Sequence, residues 1–292
     1  MAVDPSIEPL LDDVRHVVRR DAPHLERLLE IFAQEARFGR QWLTPNLNLL
    51  APGAAILEVG AGLMLLSCQL AKEGFRVAAL EPVGEGFSSF SELQKLVLVY
   101  AEKRGTAPEV LPIPVEQLDQ NSSFDFAYSI NVMEHVGNFA LALERVGRAI
   151  RPGSEYRFIC ANYLFPYEPH FNVPIVFSKS VTEKLFRRRI YGNTRVGDAA
   201  GVWKSLNWIT VPKVVRAVRN LADVSVSFDR SMLEAVLLRT VGDREFSARR
   251  SPFVRSLAKG AVRLGLHRLV KWIPPFMQPV MDCSMKRRAQ VQ

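Results

Sequence analysis

The sequence predicts an α/β fold: a doubly wound, mostly parallel sheet covered by helices. Three observations predict it. A short apolar run, Ala55-Ile-Leu-Glu-Val59, ends in Gly60-Ala-Gly62, and an apolar helical pattern follows at once from Leu63 to Ala71. That is the pattern of a buried strand, a tight turn and a helix start. A second strand, Arg76 to Glu81, ends in a carboxylate 21 residues after Gly60. Strand-like and helix-like segments then alternate as far as residue 161, which builds βαβ units with right-handed crossovers and a parallel sheet.

The elements follow in order. Residues 6–36 carry helical periodicity, broken into two helices at Asp21-Ala-Pro23, since proline removes a backbone donor and restricts the residue before it. A segment containing Phe38, Arg40 and Trp42 leads into a linker ending at Pro52. Strands are expected near 55–60, 76–81, 109–113, 124–130 and 155–161. Helices are expected near 63–73, 86–104 and 138–150, the last stopped by Arg151-Pro-Gly153. Residues 162–212 break the alternation. They are rich in aromatic and basic groups, and unstructured loops of such length are uncommon, so this insertion should carry short helices of its own and act as a substrate lid. A helix at 211–222 and two strands, Val224–Phe228 and Leu233–Leu238, come next. From Ser251 a helix places Arg255, Lys259, Arg263, His267 and Lys271 on one ridge, with Val254, Leu257, Ala261, Leu264 and Leu269 mainly opposite. Three domains result: an N-terminal helical cap at 1–50, a cofactor-binding domain at 51–242 with its lid at 162–212, and a basic amphipathic tail at 243–292.

Gly60 and Gly62 let the backbone turn sharply and approach a ligand closely, and the helix start offers unpaired N–H groups. Such a turn suits a nucleotide-like cofactor. Leu65 stands where a dinucleotide fingerprint would place its third glycine, while Glu81 suits the paired hydroxyls of a ribose. Further on lies Phe124-Asp125 and then Asn131-Val-Met-Glu134-His135-Val. With these segments in view the chain resembles the class I S-adenosylmethionine (SAM)-dependent methyltransferases. Glu58-x-Gly60-x-Gly62 matches that family's glycine motif, Glu81 its ribose acid, and Phe124-Asp125 with Glu134-His135-Val its fourth-strand motif, over roughly residues 50–160.

The resemblance implies a seven-stranded sheet closed by an antiparallel hairpin, and SAM as cofactor. It assigns Glu58, Gly60, Ala61, Gly62, Glu81, Pro82, Val115, Glu116 and Asn131 to cofactor binding; Pro114 occupies the place of an acid usually found two residues before Glu116. N-terminal helices often cap the pocket in this family, where Arg40 would pair the cofactor carboxylate or simply be solvated. For methyl transfer to an oxygen or nitrogen a base is required, and an imidazole titrates in the right range. His170, in Tyr167-Glu-Pro-His170, is the first candidate and His135 the second; Tyr167 is a weaker base, with an ordinary pKa near 10. Glu134, Tyr163, Arg187 and Arg188 are candidates for holding the acceptor, as is Asn162 for lining the same crevice. Each has a plainer reading as a packed or solvated side chain.

The 292 residues carry a net charge of +8, unevenly spread: from Arg244 onward eleven Lys and Arg face two acids, leaving the rest of the chain near −1. Such asymmetry points to an acidic surface partner, and the tail is expected either to lie on anionic lipid or to pack on the domain. Three cysteines, Cys68, Cys160 and Cys283, have no metal-type spacing, so no metal site is expected and a reducing compartment is. The start resembles no signal peptide, and no apolar run is long enough to cross a membrane, which places the protein in the cytoplasm, at most peripheral on the membrane's inner face. The acceptor is expected to be a small molecule, a glycan or a lipid-linked compound. A nucleic-acid methyltransferase is disfavoured because Asn131-Val-Met-Glu replaces the Asp/Asn-Pro-Pro-aromatic motif expected of an enzyme acting on an exocyclic base nitrogen. A non-catalytic SAM-binding protein at a membrane surface, and more distantly a dehydrogenase, are the other readings.

Overall fold

The computed structural model describes residues 7–82, 89–194, 198–248 and 250–289. Met1–Ser6, the expected start of the helix at 86–88, Arg249 and residues 290–292 lie outside the described residues. The described residues form eleven α-helices, α1 Glu8–Asp21, α2 Glu26–Leu47, α3 Leu65–Lys72, α4 Ser89–Arg104, α5 Phe139–Ala149, α6 Lys179–Tyr191, α7 Ala199–Ser205, α8 Val211–Arg219, α9 Met232–Gly242, α10 Arg244–Ala248 and α11 Pro252–Arg263, and nine strands. The strands are β1 Ala55–Val59, β2 Arg76–Leu80, β3 Glu109–Leu111, β4 Phe124–Ile130, β5 Ile150–Ala161, β6 Tyr167–Glu168, β7 Val173–Pro174, β8 Val224–Asp229 and β9 Val280–Arg287.

Seven of them form one sheet in the order β3-β2-β1-β4-β5-β9-β8, and β6-β7 form a small hairpin. β1 runs parallel to both β2 and β4, and β2 to β3, whereas β8 and β9 are antiparallel. The order reverses at β1, so the end of β1 is the switch point where such sheets take their ligands. This is the doubly wound, Rossmann-like arrangement the sequence predicts.

The chain divides into two compact units. The first comprises residues 1–129, 148–156 and 289–292, the second 130–147 and 157–288. In the first unit the fully buried β1 supplies the core with Ile56, Leu57 and Val59, and α1 adds Leu10, Leu11, Val14 and Val18 at helical spacing. The linker expected before Pro52 is shorter than predicted, because α2 continues to Leu47: Ala36, Leu43 and Leu47 extend its buried stripe. β5 begins five residues before the expected 155, with Gly153 at a φ of +86° absorbing the irregularity of Arg151-Pro-Gly.

The second unit holds a correction. Leu233–Leu238, expected to be a strand, lies within α9, where Met232 and Thr240 are buried two turns apart on one face. A short apolar run has no period that separates strand from helix, and Leu-Glu-Ala favours the helix. The partner of β8 is instead β9, which pairs Val224 with Arg287 through to Asp229 with Asp282. The region 243–292 is therefore no simple tail. Its basic helix α11 and the turns after it sit in a helical excursion between two paired strands, and its end completes the sheet. The boundary expected at 242 falls inside the second unit. The lid segment carries the short helices expected of it, α6 and α7.

Candidate active site

In the first unit the chain leaves β1 through Gly60 and Gly62 at φ of +72° and +54°, conformations a residue with a Cβ adopts at a cost. A Cβ added at Gly62 would meet only the Phe32 ring, at 3.7 Å, so it is the turn rather than crowding that calls for glycine. The backbone N–H groups of Gly60 and Ala61 both donate to the Leu80 carbonyl, at 2.7 and 3.1 Å, which ties the turn to the end of β2. One residue later the Gly62 N–H donates to Glu81 Oε2 at 2.8 Å. Gln94 on α4 donates to the Gly62 carbonyl at 2.7 Å. The glycine turn and the strand-end acid, 19 residues apart in sequence, are thus in direct contact. Burial raises the Glu81 pKa, and the Gly62 N–H acts against it.

Glu58 on β1 is buried, and Ser67 on α3 donates to it through a short hydrogen bond. Burial pushes the Glu58 carboxyl up to about 7, opposed by the Ser67 hydrogen bond and the nearby Tyr128 hydroxyl. This residue braces strand against helix on either side of the turn. Ala61 is buried, Pro82 exposed, and Val115 is buried in the single turn Val115–Gln117 after β3, with Glu116 half-buried beside it. Arg40 does not stand ready for a ligand: its guanidinium forms a buried ion pair with Glu73 at 2.7 Å and donates to Thr44 at 3.0 Å. The donor set fits SAM, since a carboxylate for ribose hydroxyls adjoins a left-handed glycine turn at the sheet's switch point.

The second unit gathers the candidate bases. Asn131, exposed at a φ of +55°, opens a loop after β4. That loop is pinned by Asn207, whose Nδ2 donates to the Met133 and Val136 carbonyls at 2.7 and 2.8 Å. It carries Glu134, 1% exposed, and His135. His170 sits in the turn of the β6-β7 hairpin, where Asn172 takes a φ of +53° and Phe171 anchors the turn edge-on against Trp203 at 5.6 Å. Glu168, fully buried, accepts from His170 Nδ1 at 2.6 Å and from the Phe171 N–H at 2.7 Å. The two imidazoles meet edge to face with centroids 5.2 Å apart.

The hydrogen bonds fix the tautomers. Ser205 donates its hydroxyl to the Val202 carbonyl at 2.9 Å, so its oxygen accepts from His135 Nδ1–H at 2.8 Å. His170 likewise gives its Nδ1–H to Glu168. Both rings therefore present Nε2 lone pairs. Potential ligand atoms of Glu134, His135 and His170 lie within 4.8 Å of one another, and Glu134 Oε2 is buried with no hydrogen-bond partner among the described residues. A carboxyl group and two imidazoles this close would serve a shared proton or a divalent metal; spacing in the sequence gave no sign of it. The pKa directions agree. Burial pushes His135 down to about 4, helped by charge on His170. His170 goes the other way: burial opposes protonation, but Glu168 and then Glu134 outweigh it and raise the pKa. Burial pushes Glu134 up to about 7.

Of the other candidates, Tyr163 touches this cluster through Glu168. Tyr163 is buried, stacks on Trp208 at 5.4 Å and donates to Glu168 at 3.3 Å. Tyr167 donates to Asn172, and burial raises its pKa, making it a poorer base than the free side chain. Asn162 does not line a crevice; its Nδ2 is spent on the Phe276 and Gln278 carbonyls at 3.1 and 2.8 Å. Arg187 and Arg188 are exposed on α6, Arg187 over the Tyr191 ring at 5.3 Å. The partner of His170, Glu168, is not foreseen; its only sequence signal is an acid two places before His170 in an aromatic segment.

A sheet of this order, with a glycine turn bound to a strand-end carboxylate at its switch point, defines a nucleotide-cofactor α/β protein. A family model described as a methyltransferase domain matches residues 57–158. The uncharacterized protein Rv1509 of Mycobacterium tuberculosis (strain H37Rv) is 45% identical over 286 residues, covering 98% of this chain and 97% of that one. A ubiquinone biosynthesis O-methyltransferase of Paramagnetospirillum magneticum is 30% identical over 123 residues, 41% of this chain and 45% of its own length. Among solved structures, phosphoethanolamine N-methyltransferase 2 of Haemonchus contortus aligns at 15% identity and a TM-score of 0.49, covering 86% of this chain and 52% of that one. The chain belongs to the class I SAM-dependent methyltransferase family, and SAM is its cofactor.

Proposed function

We propose that this methyltransferase acts on a hydroxyl group of a small-molecule, glycan or lipid-linked acceptor, with His170 Nε2 taking the proton. The observation that carries the reading is the His170–Glu168 pair at 2.6 Å. Bound SAM supplies a methyl group already activated on its sulfonium. An amine attacks as its free base, whereas an alcohol must lose a proton as the new bond forms, and a positioned base contributes about 10²–10⁴-fold. Glu168 fixes the ring so that Nε2 carries the lone pair, and stabilises the imidazolium once the proton arrives. Glu134 adds to that stabilisation, and His135, held neutral, offers a second acceptor for a hydroxyl hydrogen. Of the cofactor residues, Glu81 Oε2 is taken by Gly62, which leaves Oε1 for a ribose hydroxyl, and Glu58 keeps the turn in shape.

The distant ubiquinone O-methyltransferase relatives support transfer to oxygen, and the aromatic character of the lid segment supports a bulky acceptor. The test is a screen with methyl-labelled SAM against phenols, sugar hydroxyls and amines, run on the wild type and on His170→Ala. Hydroxyl acceptors should be labelled, with kcat falling about 10²–10⁴-fold in the variant and S-adenosylhomocysteine affinity unchanged. Labelling of amines alone, or full kcat in His170→Ala, would refute it.

A further inference from the structure

We propose that residues 252–277 form a docking surface for an anionic lipid bilayer. The inference goes beyond methyl transfer and stands without it. α11 has two apolar sides. One, around the buried Ala258, packs on α9. The other carries Phe253, Leu257 and Leu264, exposed at 72%, 58% and 73%. At about 100° per residue these three fall within about 40° of one another on the helix, a continuous stripe without a partner among the described residues.

The next segment repeats the device with a different period. Leu266–Trp272 is a 3-10 helix, in which every third side chain eclipses. Leu266, Leu269 and Trp272, exposed at 47%, 58% and 72%, therefore line one edge. The segment packs against both α11 and α9. Phe276 and Met277, exposed at 45% and 55%, extend it. This tip is no frayed end: Asn162 donates to the Phe276 and Gln278 carbonyls, and Gln278 Nε2 donates to the Ile273 carbonyl at 3.0 Å. Apolar side chains are held out from a pinned backbone, an arrangement that signals an interaction surface.

Charge selects the occupant. Residues 250–277 contain six Lys and Arg and no Asp or Glu. Lys259 and Arg263, both exposed, stand about 100–140° round α11 from the centre of the apolar stripe, and Arg268 and Lys271 flank the 3-10 edge. An apolar stripe bordered by cations, with an exposed tryptophan, is the form of a helix lying in a lipid interface. No helix among the described residues is long and apolar enough to cross a membrane; the proposed contact is with the bilayer surface. A second copy would bring six like charges against six, and a nucleic acid would leave the stripe unburied.

The experiment is flotation of the full chain with vesicles of phosphatidylcholine alone and of phosphatidylcholine with phosphatidylglycerol. The protein should float with the anionic vesicles, and each of Lys259→Glu, Arg263→Glu and Lys271→Glu should weaken binding at least about fivefold. The triple variant Phe253→Ser, Leu257→Ser, Trp272→Ser should weaken it about tenfold or more while keeping its S-adenosylhomocysteine affinity and melting temperature, because all three side chains are already in water. Failure to float with anionic vesicles, or undiminished flotation of the triple variant, would overturn the proposal. So would a wild-type dimer that the triple variant dissolves, or binding to duplex nucleic acid that the triple variant retains while vesicle binding is absent.

Discussion

The Glu81 carboxylate accepts the Gly62 backbone N–H at 2.8 Å, so the acid that ends β2 also holds the turn that follows β1. One residue shapes the loop, and in the proposed reading its second oxygen meets the cofactor ribose. Removing it should therefore weaken cofactor binding twice over.

For Glu81→Ala we expect S-adenosylhomocysteine affinity to fall on the order of 10²-fold, since a hydrogen bond to a charged group contributes about 1.5–3 kcal/mol. Glu81→Gln should fall between the variant and the wild type, because its amide oxygen can still accept from Gly62. Calorimetry with purified protein measures both. Undiminished affinity in Glu81→Ala would remove the ribose contact from the site.

Glu58 makes a prediction about stability. Its pKa is about 7 in the fold against an ordinary 4.5, so the folded chain holds a proton that the unfolded chain releases. A raised folded pKa stabilises below the unfolded value and loses that contribution as pH rises to the folded one. Unfolding free energy of the cofactor-free protein should thus drop between about pH 4.5 and 7, by on the order of a few kcal/mol from this group. Glu58→Gln, which keeps an acceptor for Ser67 without the charge, should flatten that slope and raise the urea midpoint at pH 8. A slope in the variant equal to that of the wild type would assign the effect elsewhere.

How far the sequence carried this reading depends on how local each feature is. The Glu58-Val-Gly60-Ala-Gly62 turn and Glu81 are legible because each is a backbone requirement next to an apolar strand, and their contact follows from parallel pairing of β1 and β2. The final strand was not legible. Met281, Cys283 and Met285 alternate with Asp282, Ser284 and Lys286, but the acid reads as a surface residue. Only the fold shows that Asp282, 1% exposed, is neutralised by Arg157 at 2.7 Å. α9 was misread because its apolar run fits either period. Glu168 escaped because its role comes from a hairpin of two-residue strands that leaves no periodic trace.

As the proposed base, His170 should set the pH dependence of the reaction. A base acts in its deprotonated form, so kcat/KM should rise with pH through a value above the ordinary 6.5, the direction in which Glu168 and Glu134 move this imidazole. In Glu168→Gln those contributions are reduced while burial remains, and the acid limb should move to lower pH as kcat drops. His135, pushed down to about 4, stays neutral across this range and contributes no limb above about pH 5. An acid limb unmoved by Glu168→Gln would assign it to another group.

Because Glu134, His135 and His170 bring potential ligand atoms within 4.8 Å, a divalent cation such as zinc should compete for the His170 lone pair that the proposed proton transfer uses. Zinc binds imidazole nitrogen at about 2.0–2.1 Å, and both rings already give Nδ1–H to an oxygen, the outer contact that orients metal-bound histidines. Micromolar zinc should inhibit methyl transfer, EDTA should restore it, and S-adenosylhomocysteine affinity should not change. His135→Ala, which removes one ligand but not the proposed base, should raise the inhibitory concentration about tenfold or more, in line with the loss expected when a metal site is weakened. Stimulation by zinc in place of inhibition would give His170 a ligand's role and take the proton acceptor away from it.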